Sequence, residues 1–307
     1  MSLVKVAGIP IDIQCHDTEF FDRRLAAYIT DESECDTGSL MRITSRISDI
    51  VELPKGEEIG KIGTLTLSRT EDGRYFYYGK NKENLINSCI SYDPEYRQVE
   101  INQRASRRHP FFSLTDFEYM YTGMVFSNRL AYTGGLVLHA SALSYKGRAI
   151  AFSAISGTGK STHTGLWKEY FGENVEIIND DKPAVCFEGG QPYLYGTPWS
   201  GKTDINNNIK APLVAIVFIE QAEKNSIRRI SAAEAYFDMA NGVARPACDE
   251  SLGIKLLDTM ETLLERVPVY KMGCNISFQA VETAYNEILG GSINENSEWL
   301  HAQGNRR

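Results

Sequence analysis

Residues 148–171 read RAIAFSAISGTGKSTHTGLWKEYF. The apolar run 148–154 has the composition of a buried strand, and apolar residues at helical spacing follow the segment SGTGKST. A glycine-rich loop that ends a strand and opens a helix is the context in which such a loop binds phosphate. The sequence therefore predicts a phosphate-binding loop in an α/β fold. Its residues are Ser156, Gly157, Thr158, Gly159, Lys160, Ser161 and Thr162.

The chemistry of this loop predicts a bound nucleotide. Glycines let backbone N–H groups surround phosphate oxygens, and the helix N-terminus adds its partial positive charge. Lys160 would reach the β- and γ-phosphates of ATP, and Ser161 would hold Mg²⁺. The usual first glycine of such loops, six residues before the lysine, is Ala154 here. The alternative interpretation is a glycine-rich turn that happens to precede a lysine.

Two adjacent carboxylates follow the next strand signal. Residues 175–181 read VEIINDD, which predicts a strand that ends at Asp180 and Asp181. In open α/β sheets the C-terminal ends of strands face the ligand crevice. One carboxylate could hold the metal ion there while the other takes a proton from an attacking hydroxyl. The alternative is a polar turn with two solvated aspartates.

Two further residues are candidates for the same site. His139 ends the apolar run 135–139, GLVLH, where a histidine is often only structural. Lys202 ends the turn-rich run 196–202, GTPWSGK. It is either a solvated lysine on a connector or a cation that contacts the γ-phosphate or an anionic acceptor.

The chain as a whole divides into a β-rich first part and an α/β second part. Strand signals in the first part lie at 4–14, 40–47, 62–68, 75–78 and 98–102, with a turn at 70–73 and one helix at 20–29. In the second part a helix is predicted at 116–130 behind a cap at Thr115, with strands at 136–144, 148–154, 175–178, 213–220 and 269–272 and helices at 159–171, 232–241, 252–266 and 278–289. We therefore predict a β-rich N-terminal domain over 1–112, an α/β domain over 113–290 and a disordered tail over 291–307.

Composition and net charge indicate which classes of binding partner are not expected for this protein. The 307 residues are 42% hydrophobic and 23% charged, as in ordinary globular proteins. A net charge of −8 provides no general attraction to nucleic acid or anionic lipid. No apolar run approaches the roughly 20 residues of a membrane span, no signal peptide is evident, and the six cysteines form no C-x-x-C pair. We expect a cytoplasmic protein with free thiols and no membrane or nucleic-acid partner; a homo-oligomer is left open.

These motifs together resemble the superfamily that joins bacterial HPr kinase/phosphorylase with ATP-dependent phosphoenolpyruvate carboxykinase. The segment SGTGK at 156–160 looks like the carboxykinase loop, and His139 followed by a strand, the loop and the acid pair looks like the HPr kinase catalytic domain. The run LHAS at 138–141 is similar to little-characterised HPr-kinase-like proteins with unknown acceptors. The resemblance covers about 136–202 and is weaker onward to 289. The glycine-rich signature that the HPr enzyme carries after its acid pair is absent.

The resemblance implies a fold and a set of roles. The fold is a P-loop kinase core of the HPr kinase/carboxykinase type, preceded here by the small β-rich domain. His139 would be the site histidine, Lys160 the loop lysine and Ser161 the metal-binding hydroxyl. Asp180 would be the base and Asp181 would lie near the metal.

Three functions compete on this basis. The first is an ATP- and Mg²⁺-dependent phosphotransferase for a hydroxyl on a small metabolite or a peptide serine. The second is a carboxykinase-like enzyme acting on an oxoacid, which would need clustered arginines near the γ-phosphate. The candidate arginines after the loop, none of them in a recognisable motif, are Arg228, Arg229, Arg245 and Arg266. The third is a nucleotide-binding regulatory module without turnover, which would need a metal ligand but no base.

Overall fold

The computed structural model describes residues 2–36, 38–201, 203–246 and 249–290. Lys202 and the predicted tail 291–307 lie outside these residues. The described residues form two β-sheets and six α-helices, so the chain has a mixed α/β fold. The first part is rich in strands, as expected, while the predicted domain boundary at 112/113 stays a prediction.

Eight strands form the N-terminal sheet. They are β1 (Ser2–Val6), β2 (Ile9–Gln14), β3 (Met41–Ser48), β4 (Glu57–Ile62), β5 (Leu65–Arg69), β6 (Tyr75–Lys80), β7 (Ile86–Tyr92) and β8 (Gln98–Arg104). Their spatial order is β1-β2-β3-β8-β7-β6-β5-β4. The pairs β2–β3 and β3–β8 are parallel. Parallel neighbours need a crossover, and helix α1 (Thr18–Leu25) lies in the one between β2 and β3.

Two of the runs with strand signals contain a hairpin turn. The run 4–14 turns at Ala7 and Gly8, whose φ angles are 48° and 81°. Two consecutive positive φ values are typical of a tight two-residue hairpin turn. The run 62–68 likewise contains a turn, at Gly63 with a φ of 59°, between β4 and β5. The strand signal runs through the turn in the first case because the apolar Ala7 occupies a turn position.

Helix α2 (Leu114–Tyr132) follows the N-terminal sheet and begins at a different cap from the predicted one. The Ser113 hydroxyl accepts from the N–H of Asp116 at 3.1 Å, and the Asp116 carboxylate accepts from the N–H of Ser113 at 2.7 Å. This reciprocal pair is a capping box. Thr115, the predicted cap, instead donates to the Asp17 carboxylate at 2.7 Å. The acidic residue three positions after Ser113 is what selects Ser113 as the cap.

Nine strands form the C-terminal sheet. They are β9 (Leu136–Val137), β10 (Ala140–Tyr145), β11 (Arg148–Ser153), β12 (Val175–Asn179), β13 (Ala184–Glu188), β14 (Gln191–Tyr195), β15 (Lys210–Gln221), β16 (Ser226–Ile230) and β17 (Val269–Cys274). The order is β12-β10-β11-β15-β14-β13-β9, and β17 pairs with β15 and β16. Strands β11, β15 and β17 run parallel. Their C-terminal ends therefore share one edge, where the predicted loop begins.

Four further helices complete the C-terminal part. They are α3 (Lys160–Phe171), α4 (Ala232–Gly242), α5 (Glu250–Arg266) and α6 (Phe278–Leu289), each starting and ending within two residues of its predicted bounds. Helices α3 and α6 pack together on a core that includes Ile150 and Phe152 of β11. Ala149 and Ala151 face the other, larger core, which also holds residues of α2, α5 and the N-terminal sheet. Both faces of the central strands are thus covered, which explains why the sequences of these strands are continuous apolar runs.

Two expectations from composition can be compared with the structure. Within the described residues, no helix has both the length and the apolarity needed to cross a membrane. The described cysteines are free thiols, as predicted: Cys15, Cys35, Cys89, Cys186 and Cys274. Cys248 lies outside the described residues.

Candidate functional site

The glycine-rich loop connects β11 to α3. Gly157 and Gly159 have φ angles of 84° and 113°, which residues with a side chain rarely adopt. A Cβ atom at either position would meet no atom within 4 Å, so the space beside the loop is open. The first N–H groups of a helix lack acceptors within the helix, and α3 has no side-chain cap. The loop therefore has the conformation and the free space that a phosphate group needs.

Lys160 is buried at the first position of α3. Its Nζ donates to the carbonyl oxygen of Ala154 at 3.0 Å and lies 3.4 Å from Nε2 of His139. Burial lowers the pKa of Lys160, and the charges of Asp181 and Asp180 act in the opposite sense. The lysine head group thus lies between the loop backbone and the other predicted site residues.

His139 lies in a break between two strands rather than at the end of one continuous strand. The predicted strand 136–144 is split because β9 pairs with β13, whereas β10 pairs with β11 and β12. At the break, the N–H of His139 donates to the carbonyl oxygen of Gly242 at 2.6 Å. The His139 side chain is 39% exposed and reaches both Lys160 and Asp181. The change of strand partners therefore places the imidazole beside the loop.

Asp181 is held between two nitrogen donors. Its Oδ1 lies 3.2 Å from Nε2 of His139, and its Oδ2 lies 3.4 Å from Nζ of Lys182. Burial raises the pKa of Asp181, but the hydrogen bond from His139 and the charge of Lys182 outweigh it, so the pKa lies below its ordinary value. The carboxylate is ionised at neutral pH, and with 23% of its side chain exposed it can still reach a ligand.

Asp180 is fixed by hydroxyl groups instead. It is only 7% exposed. Its Oδ1 accepts from the Ser141 hydroxyl and its Oδ2 from the Thr203 hydroxyl, both at 2.7 Å. Ser141 also lies 2.7 Å from the hydroxyl of Thr164 on α3. Each carboxylate oxygen has a second lone pair, so Asp180 keeps acceptor capacity while its orientation is set by three separate segments.

Asn179, which the sequence analysis did not single out, shapes the turn that carries the acid pair. Its Oδ1 accepts from the N–H groups of Asp181 at 2.9 Å and Lys182 at 2.7 Å. Its Nδ2 donates to the carbonyl oxygen of Thr197 at 2.7 Å. An asparagine that bonds the backbone two residues on forms an Asx turn. The turn directs the two adjacent carboxylates to different partners. An asparagine just before the acid pair is a sequence feature from which this turn could have been predicted.

The turn-rich segment at 196–201 packs against the acid pair. A Cβ atom at Gly201 would lie 3.0 Å from Cβ of Asp181, so only glycine fits there without a shift. Trp199 is buried, stacks on Phe126 at 4.6 Å between ring centroids, and donates to the Thr122 hydroxyl at 3.2 Å. Lys202 follows this segment but lies outside the described residues, so its catalytic role stays a prediction.

His163, on the first turn of α3, is a core residue. Burial lowers its pKa to about 4. Its Nε2 accepts from the indole N–H of Trp167 at 3.2 Å, and its ring packs edge-on against Phe152. The imidazole is therefore neutral at physiological pH and anchors α3 to the sheet.

The oxygen donors beside the loop fit a hard divalent cation. Among the described residues, no group of three or more His, Cys, Asp or Glu side chains is arranged to hold a metal ion. Mg²⁺ in nucleotide sites commonly uses one or two carboxylates together with substrate phosphates and water. Ser161 is exposed on the first turn of α3, and Asp181 is ionised and partly exposed. A serine hydroxyl and one carboxylate are the protein ligands that such a site requires.

Comparison with known proteins gives a limited result. The chain matches no family model and none of the curated proteins. Among solved structures it is similar to the Hpr(Ser) kinase/phosphatase from Coxiella burnetii, with 12% sequence identity and a TM-score of 0.30. The match covers 50% of this chain and 97% of that one. A likeness at this level of identity and TM-score carries no functional argument.

Proposed function

We propose that this protein is a phosphotransferase that uses ATP with Mg²⁺ and transfers the γ-phosphoryl group to a hydroxyl acceptor. The observation that carries the proposal is the meeting of three predicted residues beside the glycine loop. Nε2 of His139 lies 3.4 Å from Nζ of Lys160 and 3.2 Å from Oδ1 of Asp181. These residues come from separate segments of the chain, so their proximity is a property of the fold and not of the sequence motif.

The loop and Lys160 would bind the nucleotide. The open backbone at Gly157 and Gly159 would surround the phosphates. Nζ of Lys160 would exchange its contact with the Ala154 carbonyl for the β- and γ-phosphates. Ser161 and Asp181 would hold Mg²⁺, which would neutralise charge on the phosphates.

Asp180 would act as the general base. The hydroxyl oxygen of the acceptor forms a bond to the γ-phosphorus while the bond from that phosphorus to the β–γ bridging oxygen breaks, and ADP leaves. The acceptor proton moves to the Asp180 carboxylate, which the hydroxyls of Ser141 and Thr203 hold in one orientation. Lys202 is retained as the candidate cation for the γ-phosphate or an anionic acceptor. Exchanged roles for Asp180 and Asp181 are the alternative that mutation distinguishes.

Two of the arginines that a carboxykinase-like reaction would need are engaged elsewhere. Arg228 makes two hydrogen bonds to the exposed carboxylate of Glu234. Arg266 donates to the carbonyl oxygen of Gly190. The phosphotransferase is therefore preferred over an enzyme that acts on an oxoacid.

The geometry of Asp180 also argues against a purely regulatory module. A sensor that only binds Mg²⁺ and nucleotide needs one metal-binding carboxylate, whereas this site orients a second carboxylate with two dedicated hydroxyls. The test is a screen for ADP release with hydroxyl-bearing metabolites and serine-containing peptides as acceptors. ADP release that depends on one acceptor, on Mg²⁺ and on Asp180 supports the proposal. Tight Mg²⁺–ATP binding with no acceptor-dependent release would favour the regulatory module.

A further inference from the structure

Arg24 brings the N-terminal part of the chain to the edge of the candidate site. It lies in the last turn of α1 and is only 7% exposed. A nearly buried guanidinium needs acceptors for its donors. Most of those acceptors belong to residues 198–201 and 203–204, which follow Arg24 by more than 170 positions in the sequence. We call these residues the acid-side loop, because they adjoin the acid pair.

Arg24 contacts the acid-side loop at three residues. Its Nη1 donates to the Ser200 hydroxyl at 2.8 Å, and its Nη2 donates to the carbonyl oxygen of Gly201 at 3.3 Å. The same Nη2 forms a close ion pair with the Asp204 carboxylate. A planar fork of donors can serve several acceptors in a fixed relative position, which a lysine ammonium cannot reproduce.

Tyr119 of α2 supports the same loop from beside Arg24. Its hydroxyl accepts from the N–H of Ser200 at 2.7 Å and donates to the carbonyl oxygen of Pro198 at 3.0 Å. The guanidinium of Arg24 lies over the Tyr119 ring, 4.9 Å from its centroid, and 5.3 Å from the Phe20 centroid. The two aromatic rings hold the guanidinium by cation–π contact. Arg24 and Tyr119 therefore form one clamp on the loop.

The other side of the acid-side loop contacts both carboxylates. The Thr203 hydroxyl donates to Oδ2 of Asp180 at 2.7 Å. Gly201 packs so closely on Asp181 that an added Cβ would lie 3.0 Å from the Asp181 Cβ. Any displacement of the loop therefore changes a hydrogen bond of one carboxylate and the packing of the other.

We propose that Arg24 is a positioning residue for the acid pair, and that the N-terminal part of the chain completes the catalytic site through it. This inference rests on the proposed function for its catalytic consequence, but the clamp itself is a structural claim. Arg24 acts on the loop, the loop holds Asp180 through Thr203, and Asp180 receives the acceptor proton. Loss of the clamp should lower turnover while leaving the nucleotide loop intact.

The test uses Arg24→Gln in the full chain, with Arg23→Gln as the matched control. Arg23 precedes Arg24, is exposed, and approaches Asp204 only to 3.9 Å. The first measurement is hydrogen exchange of the Ser200 and Gly201 amides and, separately, of the Gly157–Thr162 amides. Loss of charge-assisted hydrogen bonds should speed exchange of the acid-side loop by roughly ten- to a hundredfold in Arg24→Gln. Exchange in the glycine loop should stay unchanged in both variants.

The second measurement is phosphate release from Mg²⁺–ATP with water as acceptor, together with calorimetric binding of Mg²⁺–ADP. Arg24→Gln should lower kcat by roughly ten- to a hundredfold and change the Kd for Mg²⁺–ADP by less than about twofold, because His139 and Lys182 still hold the Asp181 carboxylate. Thr203→Val should lower kcat as well, and the double variant should lose no more than the larger single effect, because both act through the same contact. Asp204→Asn is a second variant that weakens the same clamp. It changes an exposed residue of the loop and leaves the buried Arg24 in place.

The outcomes separate this inference from the proposed function. Acid-side loop exchange in Arg24→Gln and Asp204→Asn equal to that of the Arg23→Gln control would overturn the clamp. A double variant whose loss of kcat equals the product of the Arg24→Gln and Thr203→Val losses would also overturn the clamp, because it would show that the two residues act independently. A wild-type chain that binds no Mg²⁺–ADP would defeat the proposed function, whereas the exchange measurement would still decide whether Arg24 holds the loop.

Discussion

Asp181→Asn is expected to remove a pH-dependent part of the stability. Asp181 lies 3.2 Å from Nε2 of His139 and 3.4 Å from Nζ of Lys182, and its folded-state pKa lies below the ordinary value of 3.8. The opposite charges of Asp181 and Lys182 at this separation attract by about 5 kcal/mol at an effective dielectric constant near 20. Burial of the carboxylate opposes this attraction. The net contribution should be on the order of 1 kcal/mol.

The sign follows from the depressed pKa. A carboxyl whose folded pKa lies below its unfolded pKa stabilises the folded protein above the unfolded pKa, and this stability is lost as the pH falls through the folded pKa. Wild type should therefore exceed Asp181→Asn by about 1 kcal/mol at pH 7, and the difference should shrink below about pH 4. The assay is urea unfolding from pH 7 to pH 3, with the exposed Glu176→Gln as control. An equal difference at both ends of this range, or a more stable variant at pH 7, would refute the reasoning.

Two further predictions address the base and the packing beneath the acid-side loop. Asp180→Asn should lower acceptor-dependent ADP release by about a hundredfold or more and leave the Kd for Mg²⁺–ATP within about twofold of the wild-type value. Steady-state kinetics measures the ADP release and calorimetry measures the Kd. Weakened Mg²⁺–ATP binding with unchanged turnover would show that Asp180 is the metal ligand. Gly123→Ala places a Cβ 2.8 Å from the Trp199 ring, so it should destabilise the protein by about 1 to 3 kcal/mol despite the better helix propensity of alanine. A higher unfolding midpoint for Gly123→Ala in urea would show that Trp199 can move aside.

The parts of the site that are local in sequence could be predicted from sequence. The glycine loop, the helix that starts at Lys160 and the acids after β12 follow from periodicity and turn chemistry within a few residues. The break between β9 and β10 at His139 could not be predicted from the sequence, because Leu138 and Ala140 continue the apolar run on both sides of it. Its cause is a change of strand partners, which is a tertiary property.

The supporting contacts could not be predicted for a related reason. Ser141 and Thr203 are ordinary hydroxyl residues whose role appears only when their distance to Asp180 is known. Arg24 contacts Ser200 across a separation of 176 residues, with no local pattern to mark it. The strand signals of the first part showed a β-rich region but gave no indication that α1 reaches the acid-side loop.

The central claim, Mg²⁺-dependent ATP binding through the glycine loop, is tested most directly by calorimetric titration of wild type and Lys160→Ala. The control is Lys146→Ala, on the turn at the opposite end of β11. Loss of a charge-assisted phosphate contact costs about 1.5 to 3 kcal/mol, so ATP binding to Lys160→Ala in Mg²⁺ should weaken by roughly ten- to a hundredfold. The control should bind as wild type does, and chelation of Mg²⁺ should weaken binding to wild type. Equal ATP affinity for wild type and Lys160→Ala would contradict the account.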